Sequence, residues 1–467
     1  MPPDGLQRWT RALGRRLPRR DEAARGDVMF TRRDLARMIW PLMLEQTLSL
    51  TIGMADTAMV TRVSAAALSG VSLVDSINVV LVQLFSALAT GGAVVSAQYL
   101  GRDDLRSARD AGRQLYVLCL LLSGAMALVA AVLRTPILSL IFGRIEADVM
   151  SSAQIYFLLT ALSYPFLGLY NSGAALYRSM GKTNVTLLIS ILMNVINVAG
   201  NAITIYAFGM GAAGAGLATL ISRIVGGVVI TWLLRDRRNT LCVRSYSLRL
   251  SRDMVERILR IGVPSGLENS MFSFGKLLVA SLVSSLGTAA IAANAVGNNL
   301  AVMQNMPGMA INLAIVTVVG RVMGAGQRDE ARRYTRMLLG LVYICNWVLN
   351  VPMIIFAEPL VRLFGLDAAS VPDAVWIVVF HGAWALFTWP LSFALPNTLR
   401  AAGDVRYTMT VSVVSMWVFR VLLSYVLAWY GLGLKAVWIA MITDWAVRGA
   451  FFVWRYRGDR WLEKKVV

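Results

Sequence analysis

The chain has 467 residues, 57% of them hydrophobic and only 15% charged, with a net charge of +19 and a mean hydropathy of +0.62. Soluble domains run nearer a quarter charged, so the composition excludes an ordinary soluble domain and points to an all-α polytopic membrane protein. The +19 is no nucleic-acid-binding face, because its arginines and lysines sit in short segments between apolar runs.

Residues 1–34 read as a basic cytoplasmic tail with no apolar h-region before Met38, which argues against a signal peptide. Leu6, Trp9, Leu13 and Leu17 recur at helical spacing among arginines, so the tail is read either as an interfacial helix on anionic lipid or as a disordered basic segment that sets topology. Apolar segments long enough to span follow at roughly 37–61, 71–97, 112–134, 150–172, 184–206 and 212–234. After a polar link, six more fall at roughly 259–285, 293–319, 334–357, 372–395, 407–429 and 433–455. Outside these spans 36 lysines and arginines lie on one side and 5 on the other, which predicts both termini in the cytoplasm of an inner-membrane protein. The organisation expected is therefore tail 1–34, a first lobe 35–235, a cytoplasmic linker 236–258, a second lobe 259–456 and a C-terminal tail 457–467.

The first span, PLMLEQTLSLTIGMADTAMV (41–60), carries Glu45 and Asp56. Eleven residues at about 100° each bring the two acids to about 20° apart, on one helical stripe. A carboxylate at membrane depth costs on the order of 3 kcal/mol and is expected to face protein or a water-filled cavity. Asp56 is the favoured site of ion coupling, with a packing carboxylate as the plainer account. Asn194, Asn197 and Asn201 line the fifth span, the last two one turn apart, and read equally as partners for such a carboxylate or as interhelical hydrogen bonding.

The halves repeat. At an offset of 223, Pro41, Leu44 and Glu45 match Pro264, Leu267 and Glu268, and Gly101, Ala108, Arg109 and Arg113 match Gly324, Ala331, Arg332 and Arg336. At 222, Arg178, Gly181 and Thr186 match Arg400, Gly403 and Thr408, and Gly209 and Gly211 match Gly431 and Gly433. Six spans per half give both halves the same orientation, so two pseudo-symmetric six-helix lobes with a cavity between them are predicted.

Other intramembrane charges are less decisive. Glu45 and Glu268, each one turn after a proline, read as gating latches or as binding residues. Lys276 shares a helix with Glu268, about 80° around, and a lysine at that depth is expected to have a carboxylate partner. Asp75 with Asn78 is expected to line a mouth, Asp444 with Arg448 to be a neutralised i, i+4 pair, and Arg223 and Arg420 to snorkel or pair. The glycine stretches 89–95 and 209–216 are read as close helix approaches. Cys119, Cys242 and Cys345 and the single His381 give no metal or disulfide spacing, and no catalytic motif is present.

Pro41, Asp56, Thr57 and Ala66–Ala67, then AQYLG with Ala108–Arg109, resemble the MATE (multidrug and toxic compound extrusion) family. So do Asn197 and Asn201 followed by GMGAAGAGLAT, and IGVPSGLENSMF with GTAAIAANAV in the second half. The resemblance implies twelve helices in two lobes, exporting cationic amphiphiles in exchange for protons or sodium. It places the family's protonated first-helix aspartate on Asp56, and its fifth-helix Asn and Asp on Asn197 and Asn201, the second acid being an amide here. The sodium-binding acids of one branch would fall near Phe272 and Trp389, neither a carboxylate.

The expected protein is a monomeric secondary antiporter of small organic cations, lying among membrane lipids, with a proton (or sodium) as coupling ion and no other cofactor, metal or nucleic acid. Its candidate residues are Asp56, Asn197, Asn201, Glu268, Glu45, Lys276 and Asp75. The alternatives are an exporter or flippase of a lipid-linked or anionic substrate, which would want a strongly cationic cavity, and a non-transporting membrane scaffold.

Overall fold

The protein, described here by a computed structural model, is placed at residues 29–61, 65–143, 146–243, 250–464 and 466–467; for 52–58, 60, 61 and 65 the helical backbone alone is described. The tail reading for residues 1–28 and the side chains of Met54 and Asp56 lie outside the described residues. Every long element is a helix, as a bilayer demands of a chain whose backbone groups must be satisfied within each segment.

The chain divides after Gly262 into two compact units. In the first, α1 (Arg32–Thr61), α2 (Ala65–Gly101) and α3 (Leu105–Val132) are followed by a short α4 (Arg134–Phe142). Then come α5 (Ala147–Ser179), α6 (Thr183–Asn201), which runs on as a π-helical turn at Ala202–Ala207, and α7 (Gly211–Leu234). The long helix α8 (Arg252–Ser284) leads to α9 (Thr288–Gly324), α10 (Arg328–Ile355) and a short α11 (Ala357–Arg362). The second unit ends with α12 (Val371–Trp389), α13 (Leu395–Ala401), α14 (Val405–Ser415), α15 (Leu423–Leu427) and α16 (Leu434–Arg457). Pro390–Ala394, Met416–Leu422 and Ala428–Leu432 between them are π-helical. Among the described residues ten helical spans are long and apolar enough to cross a bilayer, as in a multi-pass membrane protein. The two other long helices, α1 and α8, have 30 and 33 residues and carry Glu45 and Asp56, and Glu268 and Lys276.

Helix boundaries repeat as the sequence does. Ala65–Gly101 returns as Thr288–Gly324, and Leu105–Val132 as Arg328–Ile355; 288 less 65, 324 less 101, 328 less 105 and 355 less 132 all give 223. The change to 222 falls inside the short helices, since Arg134 and Ala357 differ by 223 while the positive-φ Gly143 and Gly365 that follow them differ by 222. The GxG pairs that open α7 and α16 hold register for a backbone reason: Gly209, Gly211, Gly431 and Gly433 all have φ between 56° and 87°, a region costly for any residue with a Cβ.

In the first unit α5 packs against α2, α3 and α7, and α6 against α1 and α7. Lipid supplies no hydrophobic drive between helices, so close backbone approach and dispersion must hold them. A Cβ on Gly173 would lie 2.8 Å from Ile230 of α7, and one on Gly227 2.8 Å from the Phe166 carbonyl of α5. The glycine stretches fit this pattern: a Cβ at Gly92 would meet Leu115 at 2.5 Å, and one at Gly216 would meet Leu159 at 2.9 Å.

Candidate functional site

In the first unit a cavity of about 320 Å³ opens among α2, α5, α6 and α7. Its polar wall includes Asp75, Tyr156, Asn194, Asn197, Asn201 and Arg223, and its apolar wall includes Leu68, Val71, Met193 and Ala215. Asp75 Oδ1 accepts hydrogen bonds from Tyr156 Oη (3.0 Å) and Asn78 Nδ2 (3.2 Å), while Tyr164 Oη donates to Asn78 Oδ1 at 2.7 Å. Three side chains thus hold one carboxylate in place against the cavity. Asp75, expected at a mouth, is a wall residue of this cavity.

The i, i+4 spacing brings Asn197 and Asn201 to one face of α6: Asn201 Nδ2 donates to Asn197 Oδ1 at 3.4 Å, and Asn197 Nδ2 to Thr219 Oγ1 of α7 at 3.3 Å. The π-helical turn begins at the next residue, Ala202, a backbone irregularity common at functional sites. Arg223 donates through Nη1 to Ser163 Oγ at 2.8 Å and lines the cavity rather than reaching an interface. Sequence reasoning set Arg223 aside and missed Tyr156; an arginine in mid-span was signal for the first, and nothing local marked the second.

Glu45 and Glu268 occupy equivalent places. Glu45 is buried, accepts from Thr186 Oγ1 at 2.9 Å and has Arg178 Nη1 at 4.0 Å. Glu268 accepts from Arg400 Nη2 at 2.5 Å, and Arg400 Nη1 also donates to Asn397 at 3.0 Å. Arg178 and Arg400 are arginines that the repeat aligns, both between the apolar segments expected from sequence. The two glutamates are therefore engaged within their own units, each by an arginine from the C-terminal end of the fourth span of its half.

This corrects the expectation for Lys276. Its helix-mate Glu268 is taken by Arg400, and among the described residues no carboxylate pairs with Lys276, whose Nζ sits 5.0 Å from the centre of the Phe272 ring. Arg420 is also corrected: among the described residues it has no ion-pair partner, and it is buried rather than snorkelling, with its Cζ 5.2 Å from the same ring. The Asp444–Arg448 pair exists, at 3.8 Å, with Ser415 Oγ donating to Asp444 Oδ1 at 2.6 Å. Phe272 and Trp389 thus belong to an aromatic cluster with cations against it, and Trp389 stacks on Phe393 at 5.4 Å. His381, fully inside the second unit, meets Gln304 Oε1 at 2.5 Å through Nδ1. Among the described residues no group of three or more acids, histidines and cysteines is placed to hold a metal.

Two compact helical units, repeating helix boundaries and enclosing buried charged groups, define a multi-pass membrane protein of the two-lobed transporter class. The family model described as MatE matches residues 41–203 and 264–426, both ends of the second match lying 223 residues after those of the first. The chain belongs to that family. It is 28% identical over 444 residues to the probable multidrug resistance protein NorM of Thermotoga maritima, covering 93% of this chain and 94% of the relative. To the uncharacterized transporter YisQ of Bacillus subtilis it is 27% identical over 443 residues, covering 92% and 95%. Among solved structures, a MOP superfamily transporter from Pyrococcus furiosus superimposes with a TM-score of 0.86 at 20% identity, over 93% of this chain and 97% of the other.

Proposed function

We propose that the protein is a secondary antiporter of the cytoplasmic membrane that exports drug-like or toxic organic cations in exchange for protons. The observation that carries this reading is the amide- and carboxylate-lined cavity of the first unit, half polar and half apolar, as a site for amphiphilic cations requires. The name of the Thermotoga relative, a probable multidrug resistance protein, agrees with such a substrate range.

Asp56 is the proposed coupling residue. Helices α1 and α6 run the same way, Thr183 Oγ1 bonding to the Met38 carbonyl and Thr186 Oγ1 to Glu45. Eleven residues on, about 16 Å along each helix, Asp56 on α1 comes level with Asn197 on α6. Protonating a carboxylate there removes the charge that holds a cation, so proton and drug compete and the proton gradient drives export by alternating access. The lack of a carboxylate at Phe272 and Trp389, with cations packed on that cluster, disfavours sodium coupling in the second unit. In this reading both termini lie in the cytoplasm, as the excess of lysine and arginine on one side supports, and the chain acts as a monomeric carrier without catalytic chemistry.

The test uses proteoliposomes with an imposed pH gradient, no sodium and a fluorescent organic cation. Wild-type protein is expected to move the cation down to equilibrium with the gradient, and folded Asp56→Asn to lose gradient-driven transport. Transport that starts only on adding sodium, or that survives in Asp56→Asn, would overturn the assignment.

A further inference from the structure

The second unit collects positive charge where the first does not. Arg420 and Arg448 are 7% and 2% exposed, and with Lys276 they surround one ring: Lys276 Nζ, Arg420 Cζ and Arg448 Cζ lie 5.0, 5.2 and 5.8 Å from the Phe272 centroid. Arg448 is also 4.4 Å over Phe393, which meets Phe272 edge-on at 6.4 Å and Trp445 at 5.2 Å. Among the described residues the acid within reach is Asp444, loosely paired to Arg448 and bound by Ser415; Glu268 is occupied by Arg400. Three cations against one carboxylate leave the cluster with two positive charges.

Charge in such a place is costly, and cation–π contact, worth about 0.5–2 kcal/mol, does not replace a counter-ion. The hydrogen-bonding groups of the arginines are spare as well: Arg420 Nε and Arg448 Nε and Nη2 are buried without a hydrogen-bond partner. Lys276 is exposed at the surface of its unit, giving the cluster an open side. Both strands of support are irregular, since Arg420 lies in the π-helical turn Met416–Leu422 and Phe393 in Pro390–Ala394, the kind of backbone that recurs at ligand sites. None of this charge is demanded by the scaffold. The residues at the repeat-equivalent positions of Lys276, Arg420 and Arg448 are Gly53, Val198 and Gly226.

The geometry points to an anion-binding subsite in the second unit, in which Arg420, Arg448 and Lys276 hold the carboxylate or phosphate group of an aromatic amphiphile against Phe272 and Phe393. Guanidinium groups supply forked donors for the anion, and the ring faces take the apolar part. This deepens the proposed transport reading, on which it rests for the identity of the carrier, by making its substrates zwitterionic or anionic as well as cationic. The group is supplied by a dissolved substrate or by an acidic lipid headgroup, and the same chemistry serves both.

The experiment measures equilibrium binding of 2-naphthoate to the full-length protein in phosphatidylcholine nanodiscs, without any gradient, by calorimetry. Binding is expected for wild type, with 2-naphthylmethylammonium failing to displace it. Lys276→Gln and Arg420→Gln are expected to weaken it on the order of tenfold each, from the loss of a charged hydrogen bond. Arg420→Lys should restore part of the affinity, and Lys435→Gln, which removes an exposed cation stacked on Trp376 elsewhere in the unit, should leave it unchanged. Lys276 is exposed, so its variant folds and keeps the test decisive if the arginine variants do not. Repeating the titration in phosphatidylglycerol separates the two sources: competition there assigns the site to a lipid headgroup, and unchanged affinity to a solute. Absence of naphthoate binding, or binding indifferent to both Lys276→Gln and Arg420→Gln, would overturn the subsite. Because no gradient is applied, that failure is distinct from a failure of Asp56-dependent transport.

Discussion

Glu268 and Arg400 form the tighter of the two glutamate–arginine pairs, and their side chains are only 9% and 18% exposed. Removing one member leaves the other charge buried and unpaired, a loss of about 3–5 kcal/mol. Arg400→Gln is therefore expected to lower the thermal unfolding temperature in detergent, and Glu268→Gln/Arg400→Gln to recover most of the loss. The equivalent Arg178→Gln should cost less, because Arg178 stands 4.0 Å from Glu45 and Thr186 already donates to that carboxylate. Equal shifts for the two arginines would contradict the geometry. This pair also marks where sequence reasoning stops. That Glu45 and Glu268 are equivalent was legible from prolines one turn before each. That Arg400 rather than Lys276 meets Glu268 was not, because the contact joins α8 to α13 across 132 residues and only packing fixes which cation arrives. Asn197 and Asn201 were legible because one turn of helix separates them; Tyr156 was not, since its role depends on where α5 crosses α2.

At the scale of elements, the helices were readable from apolar length, and the structure lengthens most of them into flanking sequence. The span expected at roughly 71–97 runs over Ala65–Gly101, and that at roughly 334–357 starts at Arg328. In the added turn from Arg328 the arginines can reach the headgroups along their apolar stems, whereas the turns added in Ala65–Gly101 carry no arginine. The short α4 and α11 were not foreseen, being too brief for periodicity to register. Packing between α5 and α7 is expected to tolerate no added methyl. Gly227→Ala sets a Cβ against the Phe166 backbone, which cannot turn aside as a side chain would, and should destabilise by about 1–3 kcal/mol. Gly124→Ala on α3 meets nothing within 4 Å and should be neutral or stabilising by up to about 1 kcal/mol. Denaturation of the two variants in mixed micelles compares them directly; a loss for Gly124→Ala as large as for Gly227→Ala would reject the close-approach account.

For the whole molecule, orientation follows from the distribution of cations, a bias of 36 to 5 that predicts the segment after α7 inside and the turn between α11 and α12 outside. Single cysteines introduced at Arg237 and at Asp367, in a chain whose Cys119, Cys242 and Cys345 are serines, give the check. A membrane-impermeant maleimide added to intact cells is expected to label the Asp367 position and spare the Arg237 position. The reverse pattern would invert the topology and with it the direction of the proposed exchange.

The duplicated backbone has a practical corollary. Each half supplies the other with a reference site on the same helix frame but lacking the chemistry, as Val279 stands to Asp56, Asn298 to Asp75 and Val198 to Arg420. Installing the missing group there, as in Val279→Asp, asks what a carboxylate costs that backbone when no partners have been built around it. The cost of carrying a charge and the benefit of using it can thus be measured separately within one chain.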